Sequence, residues 1–138
     1  MEAQGSVVDM EREGGETGRS VVMRFFEASE RGDREAMAGL AHDDVLMEWP
    51  QSGERFRGRD NAFAAMESTE VKPEPAGEPR IVGEGNVWVL MMPLRYGEEI
   101  HHYVGVFEID GSRIRRSTEY FGAPFPAQAG RARYAERD

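Results

Sequence analysis

The sequence contains no cysteine in 138 residues. That excludes disulfides, zinc-thiolate centres and a Cys nucleophile, and it fits a reducing compartment. A basic surplus is missing too: 17 Lys and Arg stand against 26 Asp and Glu, a net charge of −9. Nucleic acids and anionic membrane surfaces select basic footprints, so neither is an expected partner. There is no long hydrophobic run. The longest, from Val87 to Leu94, is far too short to cross a bilayer. The N-terminus is acidic and lacks the apolar core of a secretory signal, so a cytoplasmic protein is expected. No Gly-rich stretch lies between a strand and a helix with the Gly-Lys context of a phosphate loop, and no nucleophile elbow is present.

What is present suffices for one domain with a single core, since 39% of the residues are hydrophobic and 31% charged. Residues 1–16 are rich in Gly and Glu and predict a mobile acidic tail. The domain itself is expected over 17–122. Residues 20–32 read as a helix with Val21, Val22, Phe25 and Ala28 on one stripe and Gly32 as its stop. Asp33 is placed to cap a second helix running to Ala41, with Ala36, Met37 and Leu40 inward. His42-Asp43-Asp44 reads as a polar turn, Val45–Trp49 as a short strand ended by Pro50, and Gln51–Gly58 as a loop. Arg59–Ser68 gives a third helix burying Ala62, Phe63 and Met66. The three prolines between Val71 and Pro79 predict an extended connection.

Further strands follow over 79–85 and 87–96, then a long hairpin over Ile100–Phe121 joined at Asp110-Gly111, a strong hairpin signal. The strand over 87–96 is apolar on both faces. One face can pack on the helices, and the other predicts a homodimer through the sheet. Residues 123–138 form a C-terminal tail with a basic segment, expected to pack or to trail. Helices first and strands afterwards indicate an α+β fold.

Four blocks occur in order: Phe25–Met37, Asp43–Pro50, Phe56–Phe63 and Gly105–Phe121. Together they resemble the SnoaL-like branch of the nuclear transport factor 2-like superfamily over roughly residues 20–122. The resemblance implies a cone-shaped barrel, a curved antiparallel sheet packed on three N-terminal helices around a pocket, commonly a homodimer. The superfamily holds ketosteroid isomerases, polyketide cyclases, limonene epoxide hydrolases, dehydratases and proteins with no known activity, so it implies no single reaction. The isomerase base falls at Trp49, its tyrosine donor at Phe25 and its protonated aspartate at Gly105. That design is therefore absent. One catalytic carboxylate of the epoxide hydrolases matches Glu119. Their Arg-x-Asp falls at Leu90 and Met92, and their pocket asparagine at Glu48. The aspartate of the cyclases has no counterpart, since Gly122 follows Phe121.

Glu119 is the first catalytic candidate, because a carboxylate in an apolar pocket is pushed toward neutral pH and can serve as acid or base. Its direction depends on register. A strict two-residue Asp110-Gly111 turn pairs Tyr103 with Thr118. A one-residue bulge pairs Tyr103 with Ser117 and His101 with Glu119, and the resemblance favours it. The plain alternative is an outward Glu119 bonded to Arg115 or Arg116. Glu48, if inward, would complete a carboxylate pair able to share a proton; otherwise it is a solvated strand glutamate. His101 and His102 point to opposite faces, and one could shuttle protons. Tyr103 could donate to an oxyanion. Trp49, Phe25, Phe63, Met92, Phe107 and Ser117 are candidate ligand contacts, the apolar ones equally at home in a core. No metal site and no cofactor are expected. The expected ligand is a small apolar, oxygen-bearing molecule. The expected chemistry is isomerisation, cyclisation or hydrolysis by carboxylate acid–base catalysis, or else non-catalytic binding or scaffolding on the same fold.

Overall fold

The computed structural model describes residues 17–137. The tail expected over 1–16 lies outside the described residues. The first helix, α1, spans 17–30. Its stripe is inward, with Val21, Val22 and Ala28 at most 1% exposed. Burial of an aliphatic side chain of that kind contributes about 1.5–3 kcal/mol. The Arg19 guanidinium donates to the Ile81 carbonyl at 3.0 Å, tying the start of α1 to the sheet.

Asp33 caps α2, Arg34–Gly39, by accepting from the Ala36 amide at 3.1 Å. This helix is shorter than the sequence predicts, because β1 already begins at Ala41 and runs to Trp49. His42-Asp43-Asp44 is therefore strand and not turn, and an irregular register between Ala41 and Leu46 absorbs it. Glu54–Arg57, expected as loop, pairs with β1 as β2. Then come α3, Arg59–Glu67, and the two-residue β3, Glu74–Pro75. They are followed by β4 (Arg80–Glu84), β5 (Val87–Tyr96), β6 (Glu99–Asp110) and β7 (Arg113–Gly122).

The strands form one curved seven-stranded sheet in the order β2-β1-β7-β6-β5-β3, with β4 also on β5. Among the described strands the β1–β7 pair is parallel and the others antiparallel, so the sheet is mixed rather than wholly antiparallel. The helices cover its inner face. That face carries Trp88, Leu90, Met92, Tyr103, Phe107, Ile114 and Met47 into a common core with Val21, Val22, Ala28 and Phe63.

The hairpin register differs from both expected pairings. Asp110 pairs with Arg113, so the turn residues are Gly111, at φ +67°, and Ser112. A positive φ at the first turn position suits glycine. Between the Glu108–Arg116 and Ile109–Ile114 pairs, β7 carries one extra residue, Arg115. That bulge moves every later residue of β7 to the opposite face. Tyr103 thus pairs with Phe121, Gly105 with Glu119 and Phe107 with Ser117. The faces agree with the bulged alternative, although each partner lies four residues further along. Glu119 is consequently opposite Gly105 and not His101.

Candidate active site

Glu119 leaves β7 on the inner face, flanked along the strand by Ser117 and Phe121. Parallel pairing brings Met47 beside Ser117 and Glu48 beside Thr118. Alternation along β1 then turns Trp49 inward and Glu48 outward. The Trp49 indole Nε1 donates to Glu119 Oε1 at 2.9 Å, and the Tyr103 hydroxyl donates to Glu119 Oε2. Both carboxylate oxygens are held by neutral donors. Two aromatic contacts fix the donors in turn: Trp49 meets Phe121 edge-on at 5.7 Å, and Tyr103 meets Phe121 at 5.4 Å.

Gly105 makes this geometry possible. A Cβ there would overlap the Tyr103 hydroxyl and sit 2.8 Å from Phe107 Cε2 and 2.9 Å from Tyr103 Cζ. The bare backbone lets the Tyr103 ring lie across β6 and reach the carboxylate on β7. Beyond Pro50, the Gln51 side chain takes over the pairing with β7. Its Nε2 donates to the Phe121 carbonyl at 3.0 Å, and its Oε1 accepts from the Phe121 amide at 2.6 Å.

Burial pushes the Glu119 carboxyl above the ordinary carboxylate value, while the bonds from Tyr103 and Trp49 pull it back. The Tyr103 phenol is pushed well above its ordinary value, first by burial and then by the Glu119 charge and hydrogen bond. Tyr96 is raised as well, by burial and then by Glu119. Glu119 borders a small, partly open cleft. The walls include Phe25, Val45, Met47, Phe63, Met66 and Phe107, and the polar groups on it are Ser117 and Glu119. Ser117 is itself buried, at 5% exposure.

The expected site residues divide. Glu119, Tyr103 and Trp49 form one cluster, and Phe25, Phe63, Phe107 and Ser117 line the cavity beside it. Met92 is buried in the core and does not line it. The Glu48–Glu119 carboxylate pair is not formed. Glu48 faces the other side of the sheet, where Arg116 Nε donates to it at 2.7 Å and Arg55 Nε lies at 3.3 Å. His101 shares the inner face but stands at the rim, its Nε2 3.2 Å from Glu99 and its ring 4.6 Å from that of Tyr96. Among the described residues, no three His, Asp or Glu side chains are grouped to hold a metal ion. No described helix is long and apolar enough to cross a membrane.

Sequence reasoning missed Trp49 as a donor, Gly105 as the opening under Tyr103, and Gln51 as the clamp. One signal was available: a Tyr two residues before a Gly on a strand lets the ring lie over the missing side chain. A solved NTF2-like protein of unknown function from Burkholderia xenovorans LB400 is 32% identical to this chain. The match covers 94% of this chain and 98% of that one, with a TM-score of 0.76. This chain belongs to the NTF2-like family. Two solved structures of lower identity share its fold. A candidate ketosteroid isomerase from Kribbella flavida DSM 17836 is 22% identical over 90% of this chain and 91% of that one, with a TM-score of 0.82. An LEH-like epoxide hydrolase from M. tuberculosis is 24% identical over 78% and 79%, with a TM-score of 0.60. No family model matches the sequence, and no curated protein matches it. Within this NTF2-like chain, Trp49 donates to the Glu119 carboxylate, and Gly105 leaves clear the space that the Tyr103 ring occupies.

Proposed function

We propose that the protein is a cofactor-independent enzyme acting on a small apolar molecule that carries oxygen, with Glu119 as its acid–base group. The observation that carries this reading is a carboxylate on the wall of an apolar cavity whose partners, Trp49 and Tyr103, are neutral. A structural glutamate packed partly buried among apolar side chains is ordinarily paired with a cation. Here each oxygen keeps a lone pair, and burial holds its proton affinity above the ordinary carboxylate value. The reaction this fits is a proton removed from one atom of the ligand and returned to another, as in isomerisation, cyclisation or dehydration. Trp49 and Tyr103 position the carboxylate, and Ser117 offers the ligand a hydroxyl. Relatives with isomerase and epoxide-hydrolase names support an enzyme of this fold.

The test is solvent deuterium incorporation into a panel of apolar ketones, enols and epoxides, followed by NMR. Glu119→Gln should reduce incorporation or turnover by about 10²- to 10⁴-fold, the usual worth of a positioned acid–base group. The melting curve should show that the variant folds. The second reading is a binding protein. It gains ground if ligands quench Trp49 fluorescence equally in both proteins and no exchange or product appears.

The partner reading is a homodimer through the outer sheet face. Val82, Val89, Val106 and Thr118 form one cross-strand row on that face, and Met91, Val104 and Tyr120 the next. Val82 and Tyr120 are 42% and 41% exposed. Glu48, Arg55, Glu108 and Arg116 border these rows with ion pairs. An apolar centre with a polar rim is the anatomy of a protein interface.

A further inference from the structure

Beyond β7 the chain runs on from Ala123 with every residue to Arg137 exposed. Phe125 is 82% exposed between Pro124 and Pro126, and Tyr134 is 73% exposed at the end of a 3₁₀ turn, Ala129–Tyr134. Among the described residues, the hydrogen bonds of this stretch stay within it: Arg131 amide to Gln128 carbonyl, Arg131 guanidinium to Gln128 Oε1 and Ala135 amide to Ala132 carbonyl. Arg133 covers the Tyr134 ring at 4.8 Å, again locally. None of these contacts reaches the body of the domain. Two prolines stiffen the segment and hold Phe125 out from it, which lowers the entropy lost when that ring is captured.

We propose that residues 123–137 form an arm that packs on a second copy of this chain, with Phe125 as its anchor. The proposal rests on the homodimer reading and adds to it a segment outside the sheet. Position, reach and charge point to that occupant. The arm leaves β7 two residues after Tyr120, which stands in the apolar row of the outer face, so it starts at the edge of the surface a second copy would cover. Six extended residues span about 20 Å at roughly 3.3 Å each, and the turn adds about 12 Å at roughly 2 Å per residue. That length crosses onto a neighbouring sheet. The arm also differs in the sign of its net charge from the rest of the chain. Arg131, Arg133 and Arg137 stand against Glu136 and Asp138, so residues 123–138 carry +1 and residues 1–122 carry −10 of the total −9. Two acidic bodies repel, and a basic arm from each reduces that repulsion where they meet.

The experiment compares the full chain, a chain ended after Gly122, and Phe125→Ala by sedimentation velocity across nanomolar to micromolar concentration. The full chain is expected to be a dimer, and both variants should raise its Kd by at least about 10-fold, as loss of an aromatic anchor does. Added salt should weaken the full-chain dimer more than the truncated one. A full-chain dimer whose Kd is unchanged by truncation and by Phe125→Ala overturns the arm and leaves the sheet dimer standing. A full chain that stays monomeric at micromolar concentration overturns both. A truncation that lowers the melting temperature without changing the mass overturns the arm in favour of packing on its own domain.

Discussion

Two glutamates on neighbouring strands meet opposite fates. Glu48 on β1 faces outward, 16% exposed, between Arg55 and Arg116, which are themselves 62% and 46% exposed. Glu119 on β7 faces inward between an indole and a phenol, on the wall of an apolar cavity. One carboxylate is matched by cations in a medium that screens them, so its ion pairs contribute little. The other has no cation and poor solvation, so its charge is costly and its proton is held more strongly. The same side chain is a surface ornament in one setting and a candidate acid–base group in the other. What separates them is strand alternation on β1 and the single extra residue, Arg115, on β7.

The hardest way to break this contrast is to fill the space under Tyr103. Gly105→Ala puts a methyl group into the Tyr103 hydroxyl and the Phe107 ring. Overpacking of this kind costs about 1–3 kcal/mol. If Tyr103 swings away to relieve it, loss of its bond to the carboxylate costs about 1.5–3 kcal/mol more. Urea unfolding measures the total. A cycle with Tyr103→Ala identifies the cause, because the cost of Gly105→Ala should shrink once the Tyr103 ring is gone. An equal cost in both backgrounds would mean that Gly105 serves some purpose other than clearing a path for Tyr103.

A subtler change removes the phenol oxygen alone. Glu119 has a folded-state proton affinity above that of the unfolded chain. Its contribution to stability is therefore full at pH below the ordinary carboxyl range and is lost as pH rises through the raised value. The Tyr103 bond opposes the rise. Tyr103→Phe should push the Glu119 carboxyl higher still and carry the loss to higher pH. The penalty is expected to be about 1 kcal/mol when the carboxyl is protonated and about 1.5–3 kcal/mol when it is ionised. Urea midpoints of the two proteins between pH 4 and pH 8, both roughly chosen to bracket the carboxyl range, should diverge as pH increases. Parallel curves would show that Tyr103 does not tune Glu119. Any pH–rate profile for turnover should move upward in the same variant.

Much of this was legible in the residues. The stripe of Val21, Val22 and Ala28, the Asp33 cap and the order of the four blocks led to the right fold, and the bulged reading put Glu119 and Tyr103 on one face. The register itself was not legible. It depends on Gly111 rather than Asp110 taking the first turn position and on Arg115 bulging, and neither choice has a local signature strong enough to override the other. His42-Asp43-Asp44 looked like a turn because three polar residues in a row bury nothing, yet they lie within β1, between its pairings to β7 at Ala41 and at Leu46. Glu48 and Trp49 could not be ranked from alternation alone, since alternation fixes that they differ and not which one faces in. The pairing of Met47 with Ser117 decides it, and that is a contact between residues 70 apart.

The smallest expected effect comes from the outward glutamate. Glu48→Gln keeps the shape of the side chain and an acceptor for Arg116 while removing the charge. Glu48 shares its arginines with water on a sheet face, and Arg116 has a second carboxylate, Glu108, at 3.7 Å to turn to. The melting temperature should hardly move at physiological salt, and less still at high salt, where such pairs are screened. Activity or ligand binding at Glu119 should be unchanged, since the sheet backbone separates the two carboxylates. If Glu48→Gln instead shifted the pH dependence seen at Glu119, the two groups would be coupled through the sheet, and treating the two faces as independent would be wrong. If it weakened self-association while leaving the pocket untouched, Glu48 would belong to the rim of the proposed dimer, which sharpens the same division of labour between the faces.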